Sequence, residues 1–125
     1  MAMLAPMGCS LGADDEPKPV AGVPKEIAAV VDQLGRAIAA KDYETVCGRL
    51  FTEGARRRAG GKDCVAQLRS AGEDVRRPRI EIRAIDLKGG RATVEVETRA
   101  EGQARVTDTL ELRREAGRWL VESLS

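Results

Sequence analysis

The stretch RIEIRAIDLKGGRATVEVETR, residues 79–99, decides the fold. Its apolar residues alternate with charged ones, the period of two that belongs to strands with one buried face. The Gly89-Gly90 pair in its middle supplies the backbone freedom of a tight reversal. A loop centred on Gly89 sets Ile80 against Thr98, Ile82 against Val96 and Ala84 against Val94, with Arg83 opposite Glu95 on the other face. A second loop, centred on Glu101, sets Val96 against Val106 and Ala92 against Leu110. Its other face sets Glu97 against Arg105 and Arg91 against Glu111. Apolar residues meet apolar ones and acids mostly meet bases, with Glu81 against Glu97 as the exception. After the turn REAG comes a last strand, RWLVESL (118–124). A four-residue turn sends Trp119 and Val121 inward and a five-residue turn sends Leu120; the shorter turn is the expectation.

Upstream the period changes to 3.6. Pro24 opens a helix well, because the amide that proline lacks is unpaired in a first turn anyway. Ile27, Val30, Val31, Leu34 and Ile38 then share one face, and Lys41 ends the helix. Asp42 is placed to cap a second helix with Val46, Cys47, Leu50 and Phe51 inward. Thr52 starts a further turn, EGARRRAG, broken by Gly60-Gly61. A third helix, Lys62 to Ala71, turns Cys64, Val65 and Leu68 inward. The expectation is an α+β domain: three N-terminal helices packed on a four-stranded antiparallel meander, over residues 24–125. Residues 10–23 combine prolines, glycines and acids without periodicity and read as a tether.

Composition excludes several functions. With Lys+Arg at 21 and Asp+Glu at 20, the 125-residue chain carries +1 and has no basic stripe, which speaks against nucleic acid as a partner. Tyr43, Phe51 and Trp119 are its only aromatic residues, too few for a stacking platform. Histidine is absent, which removes Ser-His-Asp and Cys-His catalysis and the commonest metal ligand. Three cysteines without a CxxC pair do not make a zinc site, and neither AGGKD nor KGGRA has phosphate-loop spacing. No metal or cofactor is expected.

The helices IAAKDYETVCGRLFTEGARRRAGGKDCVAQLR (38–69), followed by strands ending ELRREAGRWLVESL (111–124), resemble the nuclear transport factor 2-like (cystatin-like cone) superfamily. Within it they resemble small secreted or lipid-anchored members of high-GC bacteria. The resemblance covers residues 24–125 and implies a cone-like curved sheet around a ligand cavity. It carries over no catalytic set, because the family's enzymes place acids, tyrosine or histidine inside the cone and this chain has no histidine. Cys47 and Cys64 face inward on consecutive helices as two buried thiols or as a disulfide; exported domains of this kind carry such a pair, which implies the disulfide.

Three further features bear on function. In LAPMGCSLGADDEPKP (4–19), Gly8 before Cys9 and the tether behind it suit a bacterial lipid-attachment site, while the eight preceding residues hold no Lys or Arg. The expectation is a start that truncates a longer signal, lipid on Cys9 and an extracytoplasmic domain held at the membrane; the alternative is a free thiol on a cytosolic protein. Arg56 to Arg58 read as a solvated face. Asp108 falls on the apolar face between Val106 and Leu110, opposite Val94. There a carboxylate needs a cavity or a donor, such as a backbone amide or Ser123, unless a bulge turns it out. The candidate pocket residues are Asp108, Tyr43, Trp119 and Ser123. Two functions follow: a non-catalytic domain binding a small apolar ligand or a protein partner, or an isomerase- or dehydratase-like enzyme using Asp108 with Tyr43.

Overall fold

A computed structural model describes residues 23–125. Cys9 and the tether, up to residue 22, lie outside the described residues. Helix α1 (Val23–Ala39) buries Ile27, Val31 and Leu34, with Val30 and Ile38 half-buried beside them. It ends in a doubly bonded cap: Lys41 donates to the Ile38 carbonyl at 3.0 Å and Asp42 to that of Ala37 at 2.7 Å. This geometry puts Lys41 at φ 58°, a conformation that glycine usually supplies.

Asp42 caps α2 (Tyr43–Thr45), accepting from the Thr45 amide at 3.3 Å and the Thr45 hydroxyl at 2.7 Å. The helix widens at once into a π-helical turn (Val46–Leu50), closed by the Phe51 amide on the Val46 carbonyl. Val46, Cys47 and Leu50 are buried, and Phe51 is half-buried. The further turn expected after Thr52 is a helix in its own right, α3 (Glu53–Arg58), so four helical segments precede the strands. Thr52 caps it by accepting from the Ala55 amide at 3.0 Å. Past a short 3-10 turn (Gly61–Asp63), α4 (Cys64–Ala71) begins with its cysteine 1 % exposed.

The strands β1 (Arg79–Lys88), β2 (Arg91–Arg99), β3 (Val106–Glu115) and β4 (Arg118–Leu124) form one antiparallel meander in chain order. Val94, Val96, Leu110, Leu112, Trp119 and Val121 meet Ile27, Val31 and Leu34 of α1 in the core. Trp119 and Val121 point inward, as the shorter turn requires, with Ala116 and Gly117 both at positive φ.

The registers differ from expectation in two places. Ile80 pairs with Thr98 and Ile82 with Val96 as expected, but beyond a bulge Ala84 pairs with Glu95 and Ile85 with Val94. The hairpin closes on a two-residue loop, with Lys88 opposite Arg91. That loop length suits the strand twist, and the extra residue at Arg83 absorbs the mismatch. Ile80, Ile82 and Ile85 can then all serve the core. In the second hairpin Thr98 pairs with Val106, so the whole register moves by two and Ala92 meets Leu112, not Leu110. The loop is centred one residue later, on Gly102, and it folds against the segment after α4, where the Glu101 amide donates to the Arg76 carbonyl at 2.7 Å. A shift of two keeps every side chain on its face. Asp108 therefore stays on the inner face, opposite Val96 and not Val94. A second bulge, at Glu122, sets Glu111 against Ser123 and Leu112 against Val121. Both bulges add to the sheet's curvature.

The outer face is charged, but its lattice is not wholly solvent-facing. Glu97 is 8 % exposed, covered by Arg83 and by Arg105 at 3.2 Å, both of which donate to it. The hydrogen bond from Arg83, then that from Arg105, hold its carboxyl below the ordinary value. Arg83 also relieves the Glu81–Glu97 pair by reaching Glu81 at 3.9 Å.

Candidate functional site

The helices do not close completely over the sheet. Between α1, the second helix, α4 and β4 lies a cavity of about 790 Å³. Its apolar walls are built from Leu34, Ile38, Val46, Phe51, Leu68 and Val121. Each comes from a face that its periodicity makes apolar, and the space arises because helices on a curved sheet cannot follow its concavity everywhere. The disulfide Cys47–Cys64, with Cα atoms 6.2 Å apart, ties α4 to the π-helical turn and holds the wall carrying Leu68.

The polar groups of this cavity sit at its edges. Tyr43 is 5 % exposed, and its hydroxyl lies against Gly72, where the chain leaves α4. Lys41 donates to the Gly72 carbonyl at 3.1 Å, joining the end of α1 to the end of α4. Arg76 and Arg77 line the same cavity a few residues later. On the β4 side, Glu122 accepts from the Thr52 hydroxyl at 2.7 Å and from Arg58 at 3.1 Å. The hydrogen bond from Thr52 and then the Arg58 guanidinium hold the Glu122 carboxyl below its ordinary value. Both of its oxygens are engaged, so it is an ionised structural anchor and a poor proton acceptor. Among the described residues no group of three or more Cys, Asp or Glu is placed to hold a metal ion.

The four pocket candidates fall in different places. Tyr43 and Ser123 line the large cavity. Asp108 lines a neighbouring cavity of about 260 Å³ with Val96, Thr98 and Val106. Leu34, Ile38 and Leu110 form part of the wall of both cavities. The partner of Asp108 is the Thr98 hydroxyl at 3.2 Å, whereas Ser123 donates to Glu111 at 3.3 Å. Trp119 is 4 % exposed in the core, and its indole nitrogen has no partner among the described residues. Arg58 stays exposed, as the solvated reading of Arg56 to Arg58 expects, but it also donates to the Glu122 carbonyl at 2.5 Å. Sequence reasoning missed Glu122, because strict alternation gives no sign of the bulge that turns it toward α3.

No protein-family model and no curated protein matches the sequence. Solved structures do match. An NTF-2-like protein of unknown function from Silicibacter pomeroyi is 20 % identical with a TM-score of 0.60, over 79 % of this chain and 89 % of that one. Kfla4162 of Kribbella flavida is 18 % identical with a TM-score of 0.62, over 80 % of this chain and 86 % of that one. The de novo designed NTF2 fold protein NT-9 is 19 % identical with a TM-score of 0.56, over 83 % and 87 %. At these identities the likeness is one of fold. Helices followed by a curved, unclosed antiparallel meander, matched over about four fifths of the chain, make this the nuclear transport factor 2-like fold.

Proposed function

We propose that the domain binds a small, mainly apolar ligand in the large cavity, and that it does so outside the cytoplasm, tethered to a membrane through lipid on Cys9. The observation that carries the binding reading is the cavity itself. Its volume of about 790 Å³ is typical of small-molecule sites, and its walls are mainly apolar, with a few polar groups at the edge. A disulfide between buried cysteines supports an oxidising compartment. Among the described residues no helix is long and apolar enough to cross a membrane; the anchor of this reading is Cys9. The alternative enzyme, using Asp108 with Tyr43, draws less support, because these residues line different cavities and Asp108 is occupied by Thr98.

The test is a titration with straight-chain alcohols, followed by the methyl resonances of Leu34, Ile38, Leu68 and Val121. Saturable shifts at these methyls are expected, and Ala71→Phe, which projects a ring into the cavity from an exposed position, should suppress them. Alcohols that leave those methyls unmoved overturn the binding reading. Radiolabelled fatty acid should enter the full-length precursor in a bacterial host and not its Cys9→Ser variant; equal labelling of both, or of neither, defeats the anchor.

A further inference from the structure

The charges around the cavity are lopsided. Lys41, Arg58, Arg76 and Arg77 line it, against the single carboxylate of Glu122. Glu122 is committed to Arg58, which leaves the cluster of Lys41, Arg76 and Arg77 without a carboxylate inside the cavity. Among the described residues the acid that pairs with one of the three is Glu101, 3.9 Å from Arg77 with both side chains largely in solvent, a pair of little strength; Asp42, Glu73 and Asp74 are close in the chain and form no ion pair with them. Backbone conformation adds a second, independent observation. Only Lys41, Arg77 and Ala116 adopt positive φ without being glycine among the described residues; Ala116 belongs to a hairpin turn, and the other two are cations of this cluster. At φ 58° and 52° glycine is the less strained residue, yet long cationic side chains stand there.

We propose that the ligand is an anionic amphiphile: an apolar chain lying along Leu34, Ile38, Phe51 and Leu68, and a carboxylate or phosphate head held by Lys41, Arg76 and Arg77. The proposal rests on the binding reading above and gives it a substrate class. Lys41 has donors to spare beyond its bond to Gly72, and the two guanidiniums offer the fork that matches either head. Tyr43, beside Gly72, presents a hydroxyl at the same end.

Four single-chain probes below their micellar concentrations test it: dodecanoate, dodecyl phosphate, dodecanol and dodecyltrimethylammonium, measured by calorimetry on the purified domain. Either anion should bind about tenfold more tightly than dodecanol, a difference of about 1.4 kcal/mol, and the cation should bind worst. The stronger anion identifies the head as carboxylate or phosphate. Added salt should erode the preference of the anion and leave dodecanol unaffected. In the variant Lys41→Gly/Arg77→Gly the preference should fall to about threefold or less while the melting temperature holds or rises, because glycine relieves both positive φ values. Arg76→Gln, at an exposed position free of that strain, should lower it independently. Equal affinity for dodecanoate, dodecyl phosphate and dodecanol overturns the anionic head while leaving the apolar cavity standing. Failure of all four probes to bind removes the cavity reading with it.

Discussion

Replacing both bridging cysteines by alanine should cost the domain a substantial share of its stability. The bond between Cys47 and Cys64 closes a loop of sequence separation 17. Loop entropy for a closure of this length is worth about 3 kcal/mol in the unfolded chain at room temperature. With about 100 ordered residues, the entropy of unfolding is about 0.2 kcal/mol/K, so the melting temperature should fall by about 15 °C. Alanine is chosen because Cys47 and Cys64 are buried, where a serine hydroxyl would add a desolvation cost of its own. Differential scanning calorimetry of the wild type, both single variants and the double variant separates the contributions. Either single replacement should produce nearly the whole loss, since one thiol alone closes no loop, and the second should add little. Reductant should leave the double variant unchanged. A double variant melting within about 3 °C of the wild type, or two single losses that simply add, would refute the entropic argument. Binding in the large cavity should weaken as well, because the bond holds α4 and its Leu68 against the second helix.

Thr52→Ala removes both the cap of α3 and the donor to Glu122, and should lower urea-unfolding stability by about 1–2 kcal/mol; an unchanged midpoint would contradict the cap. Gly72 has an ordinary φ of −96°, so Gly72→Ala meets no backbone strain, but its new methyl collides with the Tyr43 hydroxyl. A loss of about 1–3 kcal/mol is expected, mostly recovered by adding Tyr43→Phe; a double variant no better than Gly72→Ala would locate the clash elsewhere. Glu97 and Glu122 are held below their ordinary value of 4.5 in the folded protein, so their contribution is complete above that pH and is lost as pH falls through their folded values. Urea midpoints measured downward from neutral pH should therefore fall below pH 4.5 more steeply in the wild type than in Glu97→Gln/Glu122→Gln, and parallel curves would show that neither carboxylate is stabilised on folding.

The order of helices and strands, the inner face of most strand positions and the cap at Asp42 were legible in the sequence. Each is a local matter: hydrophobic period, hydrogen-bonding side chains next to a helix start, and glycine where the chain reverses. In the second hairpin the faces survived although the register did not, because it slipped by two residues and a shift of two preserves the side to which a residue points; in β1 the bulge at Arg83 turned Ala84 outward and set Ile85 against Val94 in its place. Even the first bulge leaves a trace, since Ile82 and Ile85 are three apart in a pattern that otherwise steps by two. The candidate site was less legible. Lys41, Arg58 and the pair Arg76-Arg77 lie in three different contexts along the chain, and only the packing of α1, α3 and the segment after α4 around one cavity brings them to its edge. Glu122 reaches Arg58 through a bulge that pairs Glu111 with Ser123 and Leu112 with Val121. Asp108 and Tyr43 open on different cavities, with Leu34, Ile38 and Leu110 standing in the wall of both. Periodicity states which residues avoid water; where helices and a curved sheet fail to meet depends on side-chain volume and sheet curvature, which only the folded chain determines.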